Sequence, residues 1–168
     1  MIAEINFFDK DYQTESARND AEFGLFDPGN SLPAITTTDG THYQALVHNP
    51  SRHMLDFVAI DHNIVFVKPD GNQESTCDAM LFDGTEYLAF VELKDVASGW
   101  ITEAIGQLEN TILLFKKSHY YKDFKRRYAY AANRQHPVFH YSLKEEMQQF
   151  RNDTNFLLRV KNNIEINY

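Results

Sequence analysis

Hydrophobic residues occur in short runs through the middle of the chain, and turn-forming residues bound each run. Runs rich in β-branched and aromatic residues predict β-strands. The predicted strands cover residues 43–47, 55–60, 64–67, 76–82 and 87–94. The last two are joined by Asp83-Gly84-Thr85 and should form a hairpin. Residues 87–91 are all apolar, which is typical of a central strand covered on both faces.

The hydrophobic period changes after residue 98. Apolar residues recur at intervals of three and four from Ile101 to Phe115, which predicts a helix that ends at Lys116 and Lys117, with Ser98 as its N-cap. Alternation over residues 127–132 predicts a strand that lies parallel to a neighbour, because a helix precedes it.

The C-terminal quarter should contain one more helix and an extended segment. Ser142 and Glu145 have the spacing of a capping box, which predicts a helix running to about Arg151. Residues 156–166 are expected to form a strand or a hairpin around Asn162-Asn163. Residues 9–23, by contrast, are polar with only weak helical spacing.

This order of elements predicts an α/β fold, with a central mixed β-sheet flanked by helices. At 168 residues we expect a single domain, with a core at 57–132, an N-terminal elaboration with extra strands at 1–56, and a C-terminal helix and strand at 142–168. The sequence has neither a basic, cleavable leader nor an apolar run long enough for a membrane helix, so a cytoplasmic location without membrane contact is expected.

Charged residues stand at one end of the predicted hairpin. Glu92 and Lys94 alternate along the second strand and therefore share a face, while Asp78 begins the first strand at the same end. A loop with an odd number of residues would pair Asp78 with Phe90 and place all three charged groups on that face, whereas an even loop would turn Asp78 away. We expect an odd loop around Gly84, or a bulge.

Two carboxylates on neighbouring strands repel each other, and a divalent cation would relieve that repulsion. The carbonyl oxygen of Leu93 could supply a third ligand, so Asp78, Glu92 and Leu93 form a candidate site for Mg²⁺ or Mn²⁺. Such an ion polarises a phosphoryl oxygen and activates water, and the Lys94 ammonium could orient that water or stabilise negative charge. The set fits hydrolysis of a phosphodiester.

The pattern of Asp78, then Glu92-Leu93-Lys94 after a hairpin, then Gln107 on the following helix resembles the PD-(D/E)XK nuclease superfamily. That superfamily includes restriction endonucleases, RecB-like nucleases and archaeal Holliday junction resolvases. The resemblance covers about residues 57–132 and implies a restriction-endonuclease-like core. It also implies that the aspartate and glutamate bind Mg²⁺, that the lysine serves the nucleophilic water, and that the glutamine leans over the catalytic site.

Other residues remain alternatives within this interpretation. Asp70 follows Pro69 as a literal Pro-Asp, but it lies in a turn, where aspartate commonly bonds to its own backbone. Some members of the superfamily add an upstream glutamate, for which Glu15 and Glu22 are both candidates. RecB-like members carry a tyrosine four residues after the glutamine, and this chain has Thr111 there.

A net charge of -8 argues against indiscriminate coating of nucleic acid. One segment differs from the rest, because it holds six basic residues and a single acid, Asp123. Its basic residues are Lys116, Lys117, Lys122, Lys125, Arg126 and Arg127. They are candidates for contacts with a nucleic-acid backbone, and the alternative is a solvated surface after the helix.

We therefore expect a Mg²⁺-dependent nuclease, with DNA as the expected substrate, acting as a homodimer or with a protein partner. A catalytically inactive nuclease-like interaction module, serving as an accessory or inhibitory subunit, is the alternative. A third interpretation is that Glu92 and Lys94 merely form an ion pair at a strand end, which would contribute about 0–1 kcal/mol if it is exposed.

Overall fold

The computed structural model describes residues 4–136 and 142–168, which form two β-sheets and two α-helices. The elements in chain order are β1 (Glu22–Phe26), β2 (Ile35–Thr37), β3 (Ala45–His48), β4 (Asp56–Ala59), β5 (Ala79–Asp83), β6 (Tyr87–Lys94), α1 (Ile101–Ser118), β7 (Arg126–Asn133), α2 (Lys144–Thr154), β8 (Leu157–Arg159) and β9 (Asn163–Glu165). Neither α1 nor α2 is long and apolar enough to cross a membrane.

The larger sheet has the strand order β4-β5-β6-β7-β8, and the smaller sheet has the order β2-β1-β3-β9. In the larger sheet β4, β5 and β6 pair antiparallel, whereas β6, β7 and β8 run parallel. α1 carries the chain from the end of β6 back to the start of β7, as a parallel connection requires. The predicted α/β class, the mixed sheet and the parallel strand after the helix are confirmed.

The larger sheet separates two hydrophobic clusters. On one face Phe90 packs in a cluster with Leu108 of α1 and Phe150 of α2. On the other face Val91 packs in a cluster with Val47 of the smaller sheet. The layers are therefore helices, larger sheet and smaller sheet, so both helices cover one face and a second sheet covers the other.

β6 lies at the centre of this arrangement, and its first seven residues are buried. A strand covered on both faces must be apolar on both, which explains the continuous hydrophobic run that begins at Tyr87. The consequence for Glu92 is that it lies inside the packed part of the sheet. Apolar packing does not explain why a glutamate occupies this buried position.

Several local predictions were wrong. Residues 64–67 form no strand and make only one isolated bridge, between Val67 and Gln73. Their alternation reflects one-sided burial, since Ile64 and Phe66 are buried while Val65 is exposed. An alternating pattern shows that one face of a segment is buried, but it does not show that a neighbouring strand pairs with that segment.

The predicted helix caps were also wrong, and of the two alternatives for residues 156–166 the segment is extended but does not form a hairpin. The N-cap positions of α1 and α2 are Trp100 and Leu143, and neither makes a side-chain capping hydrogen bond, so Ser98 and Ser142 lie outside the helices. β8 and β9 belong to different sheets and do not pair with each other. Residues 9–23 contain one short 3-10 helix, at Lys10–Tyr12.

Candidate active site

The hairpin of β5 and β6 has a loop of three residues, because Asp83 pairs with Tyr87. The expected odd loop is confirmed, but the expected partner of Asp78 is wrong, since Phe90 pairs with Met80. The register differs from the prediction by two residues. Such a shift preserves the face to which each side chain points, because strand side chains alternate with a period of two.

Asp78 directly precedes β5, and continuation of the register places it opposite Glu92. Asp78 Oδ2 accepts a hydrogen bond of 2.6 Å from the Leu93 backbone N–H. This bond anchors the aspartate to the end of β6. Both carboxyl groups are buried, with Asp78 8% and Glu92 2% exposed. They lie on the helix face of the sheet, the same face as Phe90.

Lys94 completes the group. Its Nζ lies 3.0 Å from Glu92 Oε1 and 3.1 Å from Gln107 Oε1, and Glu103 Oε1 is 3.5 Å away. The Lys94 side chain is only 17% exposed. Glu92 and Lys94 therefore form an ion pair at the end of β6, as the third interpretation expects, but the pair is buried, so the contribution of an exposed pair does not apply to it.

Gln107 on α1 bridges two parts of the site. Its side-chain oxygen accepts from Lys94 Nζ, and its Nε2 donates to the Thr76 carbonyl oxygen at 3.3 Å. One turn later Thr111 Oγ1 accepts from the Cys77 N–H at 2.7 Å. α1 thus fixes the segment that precedes Asp78 and the lysine that follows Glu92 relative to each other.

Burial dominates the electrostatics of both acids. Burial raises the pKa of Asp78 to about 7, against the Leu93 hydrogen bond, which favours the charged form. Burial and then the Asp78 charge raise the pKa of Glu92 well above its usual range, and Lys94 opposes both. For Lys94 burial alone would lower the pKa, but the Glu92 carboxylate outweighs it and the pKa is raised. Both acids are therefore harder to ionise here than in water, and a further positive charge would favour their ionised forms.

The three side chains open into a cleft of about 540 Å³ that is also lined by Asp27 and Asp61. The charges of these two aspartates raise the pKa of Asp78 further. Asp27 accepts from the Gly29 N–H at 3.0 Å and Asp61 from the His62 N–H at 3.1 Å. Sequence reasoning missed both residues because each has the local hydrogen bond of an ordinary turn aspartate. Only the folded chain brings them to the cleft.

The alternative acids lie elsewhere. Asp70 is exposed and accepts a hydrogen bond of 2.9 Å from the Asn72 N–H, as expected of a turn residue. Glu15 binds the backbone N–H and the hydroxyl group of Thr36. Glu22 Oε2 lies 3.2 Å from His48 Nδ1. None of the three lines the cleft.

The six basic residues from 116 to 127 lie at the opposite end of the larger sheet. Arg126 pairs with Tyr87 at the start of β6, whereas Glu92 and Lys94 stand near its other end. Two of the six are paired with acid, because Lys125 and Arg126 contact Glu86 at 2.7 and 3.4 Å. The structure therefore does not place this basic segment beside the cleft.

The oxygen atoms of Asp78, Glu92 and Leu93 are the candidate ligands for a divalent cation. Glu92 Oε2 is buried and has no hydrogen-bond partner among the described residues. The Leu93 carbonyl lies on the same edge of β6 as the N–H that bonds to Asp78, since both groups of a strand residue point to one edge. The two carboxyl groups and Leu93 therefore line the same cleft, with the Leu93 carbonyl on the edge of β6 that faces Asp78.

Within residues 4–136 and 142–168 no three His, Cys, Asp or Glu side chains form a group that could hold an ion. That result argues against an all-protein cage of the kind that binds structural Zn²⁺. Mg²⁺ requires less from the protein, because it keeps several water ligands and uses one or two carboxylates together with substrate phosphates. The residues present fit Mg²⁺ or Mn²⁺ on these terms.

The chain was compared with protein-family models, with curated proteins and with solved structures, and none of the three comparisons gives a match. The geometry of the cleft is therefore the basis for a functional assignment.

Proposed function

We propose that this protein is a metal-dependent nuclease that hydrolyses phosphodiester bonds, with DNA as the expected substrate. One observation carries the proposal: Asp78, Glu92 and Lys94 meet in one cleft, and the second carboxylate oxygen of Glu92 is buried there without a partner among the described residues. A buried, unsatisfied carboxylate oxygen costs folding free energy, on the order of 1–3 kcal/mol. A bound cation would offset that cost and give the oxygen a function.

In this proposal Asp78, Glu92 and the Leu93 carbonyl would hold the ion. Mg²⁺ bound there would polarise a phosphoryl oxygen and lower the pKa of a bound water. The chain itself supplies the rest of the chemistry. Lys94 can orient the attacking water and stabilise negative charge on the phosphoryl group, because its ammonium already lies beside Glu92.

Gln107 acts here as a positioning residue. It holds Lys94 Nζ by one hydrogen bond and the Thr76 carbonyl by another, and so limits the positions that the ammonium can take. Glu103, 3.5 Å from the same nitrogen, is exposed on its side of α1 and helps keep Lys94 protonated. The two carboxylate oxygens of Glu92 have different surroundings, which supports the proposed roles of Lys94 and the cation. One oxygen contacts Lys94, and the other has no partner among the described residues and is left for a cation.

The test is cleavage of supercoiled plasmid and of single-stranded DNA in the presence of Mg²⁺ or Mn²⁺. Asp78→Asn and Glu92→Gln keep the size of each side chain and should reduce the rate by at least about a hundredfold. Asp70→Asn is the matched control, because it neutralises an aspartate outside the cleft and should leave the rate unchanged. Equal rates for Asp78→Asn and wild type would refute the proposal.

A second candidate is a nuclease-like module without catalysis, serving as an accessory or inhibitory subunit. The observation in its favour is the excess of acid around the cleft, which is lined by five acidic residues and one lysine, Lys94; the acids are Asp27, Asp61, Asp78, Glu92 and Asp95. A titration with Mn²⁺ separates the two candidates. A site that binds the ion is stabilised by about 2.7 kcal/mol at a hundred times its Kd, whereas an inactive module should show no shift.

A further inference from the structure

A recess at the end of the larger sheet, opposite the cleft, is lined mainly by basic side chains. The recess has a volume of about 280 Å³. It is lined by Lys125, which precedes β7, by Arg126 and Arg127 at the start of β7, and by Arg151 in the last turn of α2. Among the described residues the only acid that forms an ion pair with them is Glu86, which contacts Lys125 and Arg126. Four cations and one acid are an unusual local balance for a protein with a net charge of -8.

The recess is held in place by hydrogen bonds. Arg127 Nη1 donates to the Phe124 carbonyl at 2.6 Å and its Nε donates to the Asn155 carbonyl at 3.1 Å. Arg127 therefore links the start of β7 to the end of α2. The Arg151 side chain, in contrast, is exposed and makes no hydrogen bond or ion pair with the described part of the chain.

Like charges are crowded beside the recess. The Lys116 ammonium lies 4.4 Å and the Arg127 guanidinium 5.4 Å from the centre of the Tyr121 ring. Burial and then the Arg127 charge lower the pKa of Lys116. A bound anion would relieve this repulsion, in the same way that a cation would relieve the acidic cleft.

We propose that the recess formed by Lys125, Arg126, Arg127 and Arg151 binds a phosphate group. Arginine guanidinium groups bind phosphate oxygens in pairs of parallel hydrogen bonds. Arg127 and Arg151 are the two arginines of the recess that can do so on one face, because the Arg126 guanidinium lies over the Tyr168 ring, on the other face of the sheet. The ligand is a backbone phosphate of a nucleic acid, a choice that rests on the proposed function. A small phosphorylated molecule has the same chemistry and is distinguished by the test.

The position of the recess predicts the reach of such a substrate. Arg127 pairs with Leu88, and Lys94 lies six residues further along β6, about 20 Å away at about 3.3 Å per residue. At about 3.4 Å per base pair this separation equals about six base pairs of duplex. A nucleic acid that fills both sites must therefore extend well beyond the bond that is cut.

The experiment measures binding without catalysis, in buffer free of divalent cations, so that it does not depend on whether the cleft is active. The probes are pyrophosphate, followed by calorimetry, and a fluorescent single-stranded DNA oligonucleotide, followed by anisotropy. Arg151→Gln should weaken binding of both probes about tenfold and reduce the salt dependence of DNA binding by about one charge. Glu86→Gln removes the competing acid and should strengthen binding. Lys68→Gln removes an exposed charge outside the recess and is the matched control.

Each result has a defined meaning. If Arg151→Gln weakens the binding of both probes and Lys68→Gln does not, the result supports a phosphate site that serves nucleic acid. Weakening of pyrophosphate binding without any DNA binding supports the phosphate site and rejects nucleic acid as its source. Equal effects of Arg151→Gln and Lys68→Gln, or no binding of either probe, overturn the proposal. If the wild-type protein binds both probes in a way that Arg151→Gln weakens, but cleaves no DNA with Mg²⁺ or Mn²⁺, the proposed nuclease is refuted and the phosphate site stands.

Discussion

The Leu93 backbone N–H donates a 2.6 Å hydrogen bond to Asp78 Oδ2, which ties the entrance of β5 to the end of β6. The bond lies next to the point where the two strands stop pairing, since Ala79 and Val91 are the last pair of the ladder on this side. It satisfies a backbone donor that has lost its strand partner. It also holds the Asp78 carboxyl group beside Glu92, so one interaction serves both the fold and the candidate site.

The raised pKa of Asp78 predicts a pH dependence of stability. Its pKa is about 7 in the folded protein, against an ordinary value of 3.8, so between these values the folded state binds the extra proton. Stability therefore falls as pH rises from about 4 to about 7, by an amount on the order of 4 kcal/mol for this group. The Asp78→Asn variant should lose this part of the slope, as measured by urea unfolding across that range. Parallel curves for variant and wild type would contradict it.

Lys94 and Glu92 should be strongly coupled. Lys94→Met leaves a buried carboxyl group without its partner and should cost about 3 kcal/mol, whereas Glu92→Gln combined with Lys94→Met should cost much less than the sum of the single changes. A double-mutant cycle of unfolding free energies measures the coupling. Additive effects would show that the 3.0 Å contact contributes little in solution.

Gly24 in β1 is predicted to be intolerant of a side chain. A Cβ atom at this position would lie 2.6 Å from the Cβ of Tyr43, which is fixed by its own backbone. Gly24→Ala should therefore destabilise the protein by about 1–3 kcal/mol. Gly106 provides the matched control, because a Cβ atom added there would meet nothing within 4 Å.

Gly106 is exposed in the interior of α1, so Gly106→Ala should stabilise the helix by about 0.5–1 kcal/mol. Thermal unfolding of the two variants should thus move the midpoint in opposite directions. A shift of the same sign in both would contradict the steric explanation.

His119 should make the N-terminal segment sensitive to acid. Its Nε2 accepts a 3.1 Å hydrogen bond from the Phe7 N–H, and burial lowers its pKa. Below about pH 6.5 the unfolded chain binds a proton that the folded state resists, so stability falls as pH decreases. Protonation of Nε2 would also remove the acceptor for Phe7. Hydrogen exchange of the Phe7 amide should accelerate between about pH 7 and pH 5 relative to the Phe90 amide in β6.

A Phe7 amide that stays equally protected over that range would argue against this role of His119. The ring is also stacked on Phe115 with centroids 4.7 Å apart, so His119→Phe is a useful comparison. It should keep the aromatic packing while removing the acceptor. Exchange at Phe7 should then be fast at both pH values.

Strong local patterns predicted the centre of the fold well. The continuous apolar run predicted β6 with its observed bounds, and the recurrence of apolar residues at intervals of three and four predicted α1. These elements bury whole faces, so their hydrophobic pattern follows directly from their packing. Patterns that depended on single polar residues failed: Ser98 and Ser142 had good capping chemistry, yet neither residue is the N-cap of its helix.

The candidate site was predictable only in part. The alternation along β6 places Glu92 and Lys94 on one face from sequence alone, because side-chain direction in a strand has a fixed period. The face to which Asp78 points could be predicted only from the length of the β5–β6 loop. The structure shows that this loop has three residues, which places Asp78 on the same face as Glu92. Asp27 and Asp61 carried no signal, since their local hydrogen bonds are those of ordinary turns.

The sequence by itself determined which residues are apolar on two faces, which strand carries the charged pair, and where the basic residues are concentrated. Tertiary structure alone decided that a second sheet covers the larger one, that Asp27 and Asp61 approach Asp78, and that the basic residues lie at the far end from the cleft. The physical reason is the separation along the chain over which each effect acts. Periodicity and turn chemistry act over a few residues, whereas burial and the fields between charges depend on segments that meet only after the chain has folded.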